Sequence, residues 1–340
     1  MFVILVGRPA TGKGEAIDPV IDMLREANTV NLLSDRLTIE YVLEKLSLGF
    51  PITTPLKAGS FIVGTESSCL LSADELSVFL RSGSDALGDL CHLWDNKSMD
   101  YGTRGKGLFS VKDPCPCMLG GSTATWLAKS IPNDAIGGGF TRRVNFVYTR
   151  NDPIQPKWGG SSALVVKDQR WLDLVDDLRY ISSNLHGQLQ ATPAFIKVFD
   201  EYTASIKVED FDDEVTMNFK SSKWLNAVKL AMVLSVSRGD SLILDDQDLL
   251  AAIPYMERVE QDLSLVFRAV GESEDAVAAS KILEYIDKRG KATLSDIMHA
   301  LWRHVTRDDA IRILSTFVEA GLLRETHQHQ RVVYAPPITP

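Results

Sequence analysis

The chain has 340 residues, 45% of them hydrophobic, and a formal net charge of −9. This length and apolar content allow one large domain and a smaller one, each with a buried core. The acidic total argues against a surface covered with nucleic-acid contacts, so any DNA contact must be local. No apolar run reaches the ~18 residues that a membrane span requires, and we expect no membrane partner.

The first 155 residues predict an α/β domain. Short apolar runs predict buried strands at Phe2–Val6, Ser60–Val63, Ser68–Leu71, Cys115–Leu119 and Val144–Tyr148. Helical patterns lie between them, at Glu15–Ala27 and Thr38–Leu46. Strands that alternate with helices predict a parallel sheet covered on both faces. Because the chain opens on a strand rather than on a basic leader, we expect a cytoplasmic protein.

A phosphate-binding loop is predicted directly after the first strand, where Gly7-x-x-x-x-Gly12-Lys13 has the P-loop spacing. In such a loop backbone N–H groups surround phosphate oxygens, and the lysine reaches the β and γ phosphates. The following helix adds its N-terminal dipole. The expected ligands are ATP and Mg²⁺. The predicted nucleotide-binding residues are Gly7, Arg8, Pro9, Ala10, Thr11, Gly12, Lys13 and Gly14.

Gly14 departs from the motif, which has Ser or Thr at this position so that a hydroxyl binds magnesium. Thr11 lies in the loop but not at the matching position. Either water replaces the missing hydroxyl, or ATP hydrolysis is impaired.

A second acidic element ends the apolar run Cys69–Leu71 and predicts a Walker B site. Asp74 would hold Mg²⁺, directly or through water, and Glu75 would orient the attacking water. The alternative is an ordinary turn at the end of a strand. A third element follows the strand at Cys115–Leu119, where Ser122 or Thr123 could sense the γ-phosphate. The alternative there is the N-cap of a helix.

Two arginines follow a run of glycines. Arg143, or else Arg142, could reach the γ-phosphate of a neighbouring subunit as an arginine finger, which would require an oligomer. The alternatives are a structural ion pair and a phosphate contact within the same chain. Together with Arg143, the predicted catalytic residues are Lys13, Asp74 and Glu75.

A glycine-rich basic segment lies between the second and third elements. Its cations could contact DNA phosphates from a loop, and the alternative is an exposed basic hairpin without a partner. They are Lys97, Arg104, Lys106 and Lys112.

One pair of cysteines, Cys115 and Cys117, has the close spacing of metal ligands. No second pair lies at zinc-site spacing, so we expect buried thiols on a strand.

Residues 156–272 predict a helical region, with apolar residues at intervals of three to four. The expected helices are Trp171–Leu185, Pro193–Ile206, Ser222–Ser237 and Asp245–Val270.

Residues 273–340 predict three helices and a hairpin, the pattern of a winged helix-turn-helix. Thr293 and Thr306 are expected to cap the second and third helices. The candidate DNA contacts near the third helix are Arg303, His304, Arg307 and Arg312, with Arg307 the leading one. Because Asp308 and Asp309 share that helix, docking to another protein is the alternative.

Together these motifs resemble the ATPase core of AAA+ proteins, and specifically the superfamily 3-like helicase modules of phage and plasmid replication. The resemblance covers roughly residues 1–270. It implies an ATP-driven homo-oligomeric ring, expected to be a hexamer, around single-stranded DNA. It also implies a DNA-binding hairpin at residues 95–112, a lid helix that carries Lys229, and location in the host cytoplasm if a phage encodes the chain. Such modules usually follow N-terminal helices or a primase domain. We therefore expect this chain to be either a fragment of a longer protein or a separate gene product that relies on a primase or polymerase partner.

Two other functions stay open at this stage. One is a DNA-binding replication initiator or switch, in which ATP controls assembly with weak hydrolysis, and Gly14 favours it. The other is a different ATP-dependent machine such as a packaging motor.

Overall fold

The structure is a computed structural model that forms two units, residues 1–267 and 268–340. It describes residues 1–34, 38–56, 59–73, 84–103, 107–131, 139–149, 168–209, 213–267, 274–303, 305–328 and 331–337. None of the helices in these ranges is both long and apolar enough to cross a membrane.

A five-stranded parallel sheet forms the centre of the first unit, in the order β2-β5-β8-β1-β9. On β1 the side chains of Phe2, Ile4 and Val6 are fully buried, because alternate residues of the strand face the same side of the sheet. The prediction of an α/β protein with a parallel sheet is confirmed. The strands are β1 (Phe2–Val6), β2 (Leu32–Ser34), β5 (Ser68–Ala73), β8 (Cys115–Ser122) and β9 (Val144–Tyr148).

The strand predicted at Ser60–Val63 exists, but it lies outside the parallel sheet. It belongs to β4 (Gly59–Glu66), which pairs antiparallel with β3 (Phe50–Leu56). Two residues join these strands, whereas parallel neighbours need a crossover of a dozen or more. A second antiparallel hairpin, formed by β6 (Met99–Thr103) and β7 (Gly107–Val111), occupies the segment predicted as a basic loop or hairpin.

Two of the helices between the sheet strands, α1 and α2, begin close to their predicted positions, whereas α3 was not predicted. Helix α1 buries Ile17 and Ile21, and Thr38 caps α2 by accepting a hydrogen bond from the Tyr41 N–H at 3.3 Å. These helices are α1 (Lys13–Ala27), α2 (Ile39–Leu48), α3 (Ser84–Trp94) and α4 (Ala124–Ser130), followed by a 3₁₀ turn at Thr141–Arg143.

The helical region belongs to the same unit as the sheet. Its helices bury Phe195, Ala227 and Leu249 in a common cluster, and Phe267 packs edge-on against Phe146 of β9 at 4.9 Å between ring centroids. The predicted boundary at residues 155 and 156 lies outside the described residues. The helices are α5 (Gln169–Asn184), α6 (Pro193–Ser205), α7 (Glu214–Arg238) and α8 (Asp246–Phe267), with the short strands β10 (Gln190–Ala191) and β11 (Ile243–Leu244).

The second unit has its own core, in which Ile282, Ile286 and Leu314 are fully buried. Thr293 forms a capping box with Asp296, as the sequence predicts, and stabilises the start of the second helix. The elements are α9 (Glu274–Arg289), β12 (Ala292–Thr293), α10 (Leu294–Leu301), α11 (Arg307–Glu319), β13 (Arg324–Gln328) and β14 (Arg331–Ala335). The three strands form one sheet in the order β12-β14-β13.

Candidate functional site

The candidate site lies at the edge of the sheet where the parallel strands end. Val6 is in register with Ser122 of β8 and Tyr148 of β9. The Gly7 N–H donates to the Ser122 carbonyl at 3.3 Å, and the Thr149 N–H donates to the Val6 carbonyl at 2.8 Å. In open parallel sheets, ligands bind in the crevice beyond the carboxyl ends of the strands.

The loop from Gly7 to Lys13 turns the chain from β1 directly into α1. Ala10 and Gly12 both have left-handed backbone conformations, with φ of 61° and 83°. Gly12 is the N-cap residue, and it has no side chain that could accept hydrogen bonds from the first-turn N–H groups. Those groups and the positive end of the helix dipole are therefore available to an anion.

Gly7 and Gly14 have opposite steric surroundings. A Cβ atom on Gly7 would overlap the Thr149 methyl group and would lie 2.9 Å from Thr11 Oγ1. A Cβ atom on Gly14 would meet only ordinary contact, with Asp18 Oδ2 at 3.9 Å. The loop therefore needs glycine at position 7, whereas the absence of a side chain at position 14 is a chemical change without a steric cause.

Lys13 folds back across the loop. Its Nζ atom donates to the Gly7 carbonyl at 2.9 Å and to the Arg8 carbonyl at 2.8 Å. Partial burial lowers the pKa of Lys13 from its ordinary value. Thr11 Oγ1 also donates to the Arg8 carbonyl, at 2.8 Å, so its hydroxyl closes the loop internally. An incoming anion would take the place of the two carbonyl acceptors on Lys13.

The two residues of the predicted Walker B site, Asp74 and Glu75, lie outside the described residues. The strand that precedes them is described as far as Ala73, which is in register with Gly120 of β8. Because β8 lies between β5 and β1, one strand separates the end of β5 from the loop at Gly7.

Ser122 and Thr123 have different surroundings. The Thr123 hydroxyl accepts the Trp126 N–H at 3.3 Å and caps α4, which is the alternative that the sequence left open. Ser122 is buried beside Gly7, and its Oγ donates to the Thr123 carbonyl at 3.4 Å. Of the two predicted sensor residues, Ser122 is therefore the one that contacts the loop, through the Gly7 N–H.

Arg143 is buried in an ion pair with Asp95. Its Nε and Nη2 atoms donate to the two carboxylate oxygens at 3.0 and 2.8 Å, and Nη1 donates to the Gly139 carbonyl at 2.6 Å. The hydrogen bonds from Arg143 lower the pKa of the Asp95 carboxyl group. This is the geometry of the structural ion pair, the alternative to a finger. A role toward a neighbouring subunit stays a prediction that requires this pair to open.

Arg142 and Lys229 lie near the ion pair of Arg143 and Asp95 in the chain or in space: Arg142 precedes Arg143, and Lys229 contacts Trp94, which precedes Asp95. Arg142 Nη1 lies 3.4 Å from Ser222 Oγ on α7. Lys229 Nζ donates to the Trp94 carbonyl at 3.2 Å and lies 3.5 Å above the centroid of the Trp94 ring, and burial lowers its pKa. The fold therefore places Arg143 and Lys229 at the end of α3, whereas Arg142 contacts α7. The sequence predicted no role in the site for Trp94 or Asp95; they stood only at the start of the segment expected to form the basic hairpin.

Two of the four predicted DNA-binding cations flank the base of one hairpin. Lys97 precedes β6 and Lys112 follows β7, so both flank the base, and Lys97 Nζ lies 3.5 Å from Asp95 Oδ2. Arg104 and Lys106 lie outside the described residues. Leu108, the second residue of β7, has 76% of its surface exposed.

The expectation of buried thiols is wrong for Cys115 and Cys117. Both are exposed, because Pro116 and Met118 occupy the alternate, buried positions of β8. The described residues contain no group of three or more His, Cys, Asp or Glu side chains suited to a metal ion.

In the second unit, the predicted contact residues lie on a surface of mixed charge. Arg307 is exposed, whereas Arg312 Nη2 donates to Asp309 Oδ1 at 3.0 Å. The Arg303 guanidinium lies 5.1 Å from the centroid of the Trp302 ring, and 64% of Trp302 is exposed. His304 lies outside the described residues.

Comparison with known proteins does not assign this chain to a class. No protein-family model matches the sequence, and a search of curated proteins found no match. The described residues define an α/β protein with a five-stranded parallel sheet and a glycine-rich loop at its carboxyl edge.

Proposed function

We propose that this chain is a P-loop ATPase with an AAA+-type core that acts as an oligomeric helicase or translocase on DNA, in replication of the phage or plasmid type. The single observation that carries the proposal is the loop from Gly7 to Lys13. It joins a buried parallel strand to a helix, and its lysine folds over the loop carbonyls at 2.8 and 2.9 Å.

This arrangement supports the binding of a phosphate group. The Lys13 ammonium exchanges two carbonyl acceptors for charged phosphate oxygens, which form stronger hydrogen bonds. The first-turn N–H groups of α1 and the helix dipole act on the same anion. Glycine at position 7 lets the start of the loop pack against Thr149 and Thr11, which holds the loop at the end of β1.

Hydrolysis depends on groups at the ends of the neighbouring strands. β8 lies between β1 and β5, and this order supports a site in which Ser122 lies beside the loop and Asp74 and Glu75 follow one strand further away. Mg²⁺ fits this site only in part. Its preferred ligands are carboxylate and phosphate oxygens, and Gly14 supplies no side-chain oxygen.

DNA binding is proposed for the hairpin of β6 and β7 and for the second unit. Lys97 and Lys112 at the base of the hairpin, together with Arg104 and Lys106, would contact phosphates of single-stranded DNA in the channel of a homo-oligomeric ring. The order of helices and strands in the second unit supports a winged helix that contacts DNA or a primase or polymerase partner. The Asp309 partner of Arg312 favours protein docking at that face.

The proposal is tested by measuring ATP binding and phosphate release for the wild type and for Lys13→Ala, with and without single-stranded DNA. The expected result is ATP binding that Lys13→Ala abolishes, and turnover that DNA stimulates. ATP binding equal in both proteins would overturn the P-loop assignment. If the wild type binds ATP but releases phosphate no faster than Lys13→Ala, the helicase function is overturned and the P-loop assignment stands.

The second candidate function is an ATP-controlled replication initiator or switch with weak hydrolysis. Two observations favour it: Gly14 lacks the hydroxyl that binds magnesium, and Arg143 is already paired within its own chain. For this function, a nonhydrolysable ATP analogue should change the oligomeric state, and ATP itself should give no measurable phosphate release. Sedimentation with and without the analogue measures that change.

A further inference from the structure

The space left by the missing side chain at position 14 faces a carboxylate. An ideal Cβ on Gly14 would lie 3.9 Å from Asp18 Oδ2, and apart from the adjacent residues and the helix backbone no other atom lies within 4 Å of that position among the described residues. Asp18 is one helical turn beyond Gly14 on α1, and helical side chains point back toward the N-terminus of their helix. The Asp18 carboxylate therefore extends over the turn that contains Gly14 and Lys13.

Asp18 is exposed, and it differs from the next acidic residue on the same face of the helix. Asp22, one turn further along, pairs with Arg25 at 3.6 Å. Among the described residues, Asp18 has no ion-pair partner. Its charge is directed at the end of the helix where the proposed phosphates bind.

A carboxylate at this place is unfavourable for nucleotide binding unless a cation lies between it and the phosphates, because like charges repel. Mg²⁺ is commonly bound by one or two carboxylates together with phosphate oxygens and water. The same carboxylate that opposes a bare phosphate would therefore stabilise a phosphate–magnesium complex.

We propose that Asp18 supplies, directly or through a water molecule, the magnesium ligand that Gly14 lacks, so that the metal and the nucleotide bind together. This inference rests on the proposed nucleotide site. It makes Asp18 a metal-binding residue, and it makes the departure at Gly14 a relocation of the ligand by one turn.

The test measures the dissociation constant of a nonhydrolysable ATP analogue for the wild type and Asp18→Asn, in excess Mg²⁺ and in EDTA. We expect Asp18→Asn to weaken binding roughly tenfold in Mg²⁺, because a charged ligand is lost. In EDTA we expect the same variant to bind about threefold more tightly, because a repulsive charge is removed. The opposite signs in the two buffers are the diagnostic result.

Two further variants sharpen the experiment. Asp22→Asn removes the same charge one turn further from the loop, and it should change neither dissociation constant by more than about twofold. Gly14→Ser places a hydroxyl where the motif has one, in a space that accepts a Cβ. In the double variant that combines Gly14→Ser with Asp18→Asn, the new hydroxyl should restore most of the magnesium-dependent affinity that Asp18→Asn alone removes.

The outcomes separate this inference from the proposal on which it rests. An unchanged affinity of Asp18→Asn in both buffers, or an equal loss in both, would overturn the role of Asp18 while ATP binding stands. If the wild type binds no nucleotide, or if Lys13→Ala binds as well as the wild type, both proposals fail. Circular dichroism confirms that each variant is folded, which is expected for a change at an exposed residue.

Discussion

Arg143 donates from Nε and Nη2 to both carboxylate oxygens of Asp95, at 3.0 and 2.8 Å. A paired carboxylate and guanidinium in this two-point geometry stabilise the fold only while both are present, because either one alone is a buried charge. The pair joins the end of α3 to the turn before β9. It therefore links the basic hairpin to the edge strand of the sheet.

Replacement of Asp95 by Asn should destabilise the first unit. The Arg143 side chain is 10% exposed and that of Asp95 is 19% exposed, so solvent screens the pair only in part. We expect a loss of about 2 kcal/mol in the free energy of unfolding, below the value for a fully buried pair. Urea denaturation at pH 7 measures it. Asp176→Asn, which changes an exposed pair with Arg179, is the control and should cost less than ~0.5 kcal/mol.

The same pair predicts a loss of stability in acid. Hydrogen bonds from Arg143 lower the pKa of Asp95, so the unfolded chain binds a proton at Asp95 more readily than the folded chain does. The contribution of the pair is thus fully present above about pH 5, and it is lost as the pH falls through the lowered pKa of the folded state. Urea midpoints measured between pH 7 and pH 3 should fall more steeply for the wild type than for Asp95→Asn. Parallel curves would contradict this prediction.

Alanine should have opposite effects at the two glycines of the loop. Gly7→Ala puts a Cβ against the Thr149 methyl group, and we expect a loss of about 1–3 kcal/mol and weaker ATP binding. Gly14→Ala meets only ordinary contact in the first turn of a helix, and it should raise stability by up to ~0.5 kcal/mol. Thermal unfolding of both variants tests this. Thr149→Ser, which removes the methyl group, should partly restore Gly7→Ala.

The cysteines should differ in their reaction with iodoacetamide. Burial raises the pKa of Cys69 to about 12, so almost none of it is a thiolate at pH 8, and it is also shielded from the reagent. Cys115 and Cys117 are exposed. Mass spectrometry after brief alkylation should find label on Cys115 and Cys117 and none on Cys69, whereas the urea-unfolded chain should be labelled at all four of its cysteines. Early labelling of Cys69 in the folded protein would contradict its buried position.

The second unit gives a test between DNA and protein contact. If α11 contacts a DNA phosphate, Arg307→Ala should weaken binding uniformly across sequences and reduce the slope of log affinity against log salt by about 1. Trp302→Ala removes an exposed aromatic side chain, and it should not change that slope. Filter binding or anisotropy at several salt concentrations measures both. No effect of Arg307→Ala would favour the protein-docking alternative.

The local signals in the sequence were sufficient for several elements. The apolar run Phe2–Val6 forms β1, and the threonines at 38, 293 and 306 cap the helices that follow them. Each cap depends on neighbours within four residues, and the apolar pattern of β1 is also local, although its pairing with β8 and β9 is not. The same holds for the Gly12 turn, whose φ of 83° suits glycine and few other residues.

Tertiary structure decided the rest, because it depends on residues far apart in the chain. The partner of Arg143 lies 48 residues away, and no local pattern distinguishes an arginine that pairs with Asp95 from one that faces a neighbouring subunit. Likewise, only the packing of β8 shows that Cys115 and Cys117 face outward. The sequence by itself determined a glycine loop that lacks a hydroxyl at position 14. The position of Asp18 one helical turn after Gly14 is likewise local. Only the fold brought Thr149 and Ser122 against Gly7, since parallel pairing of β1 with β8 and β9 joins segments more than 100 residues apart.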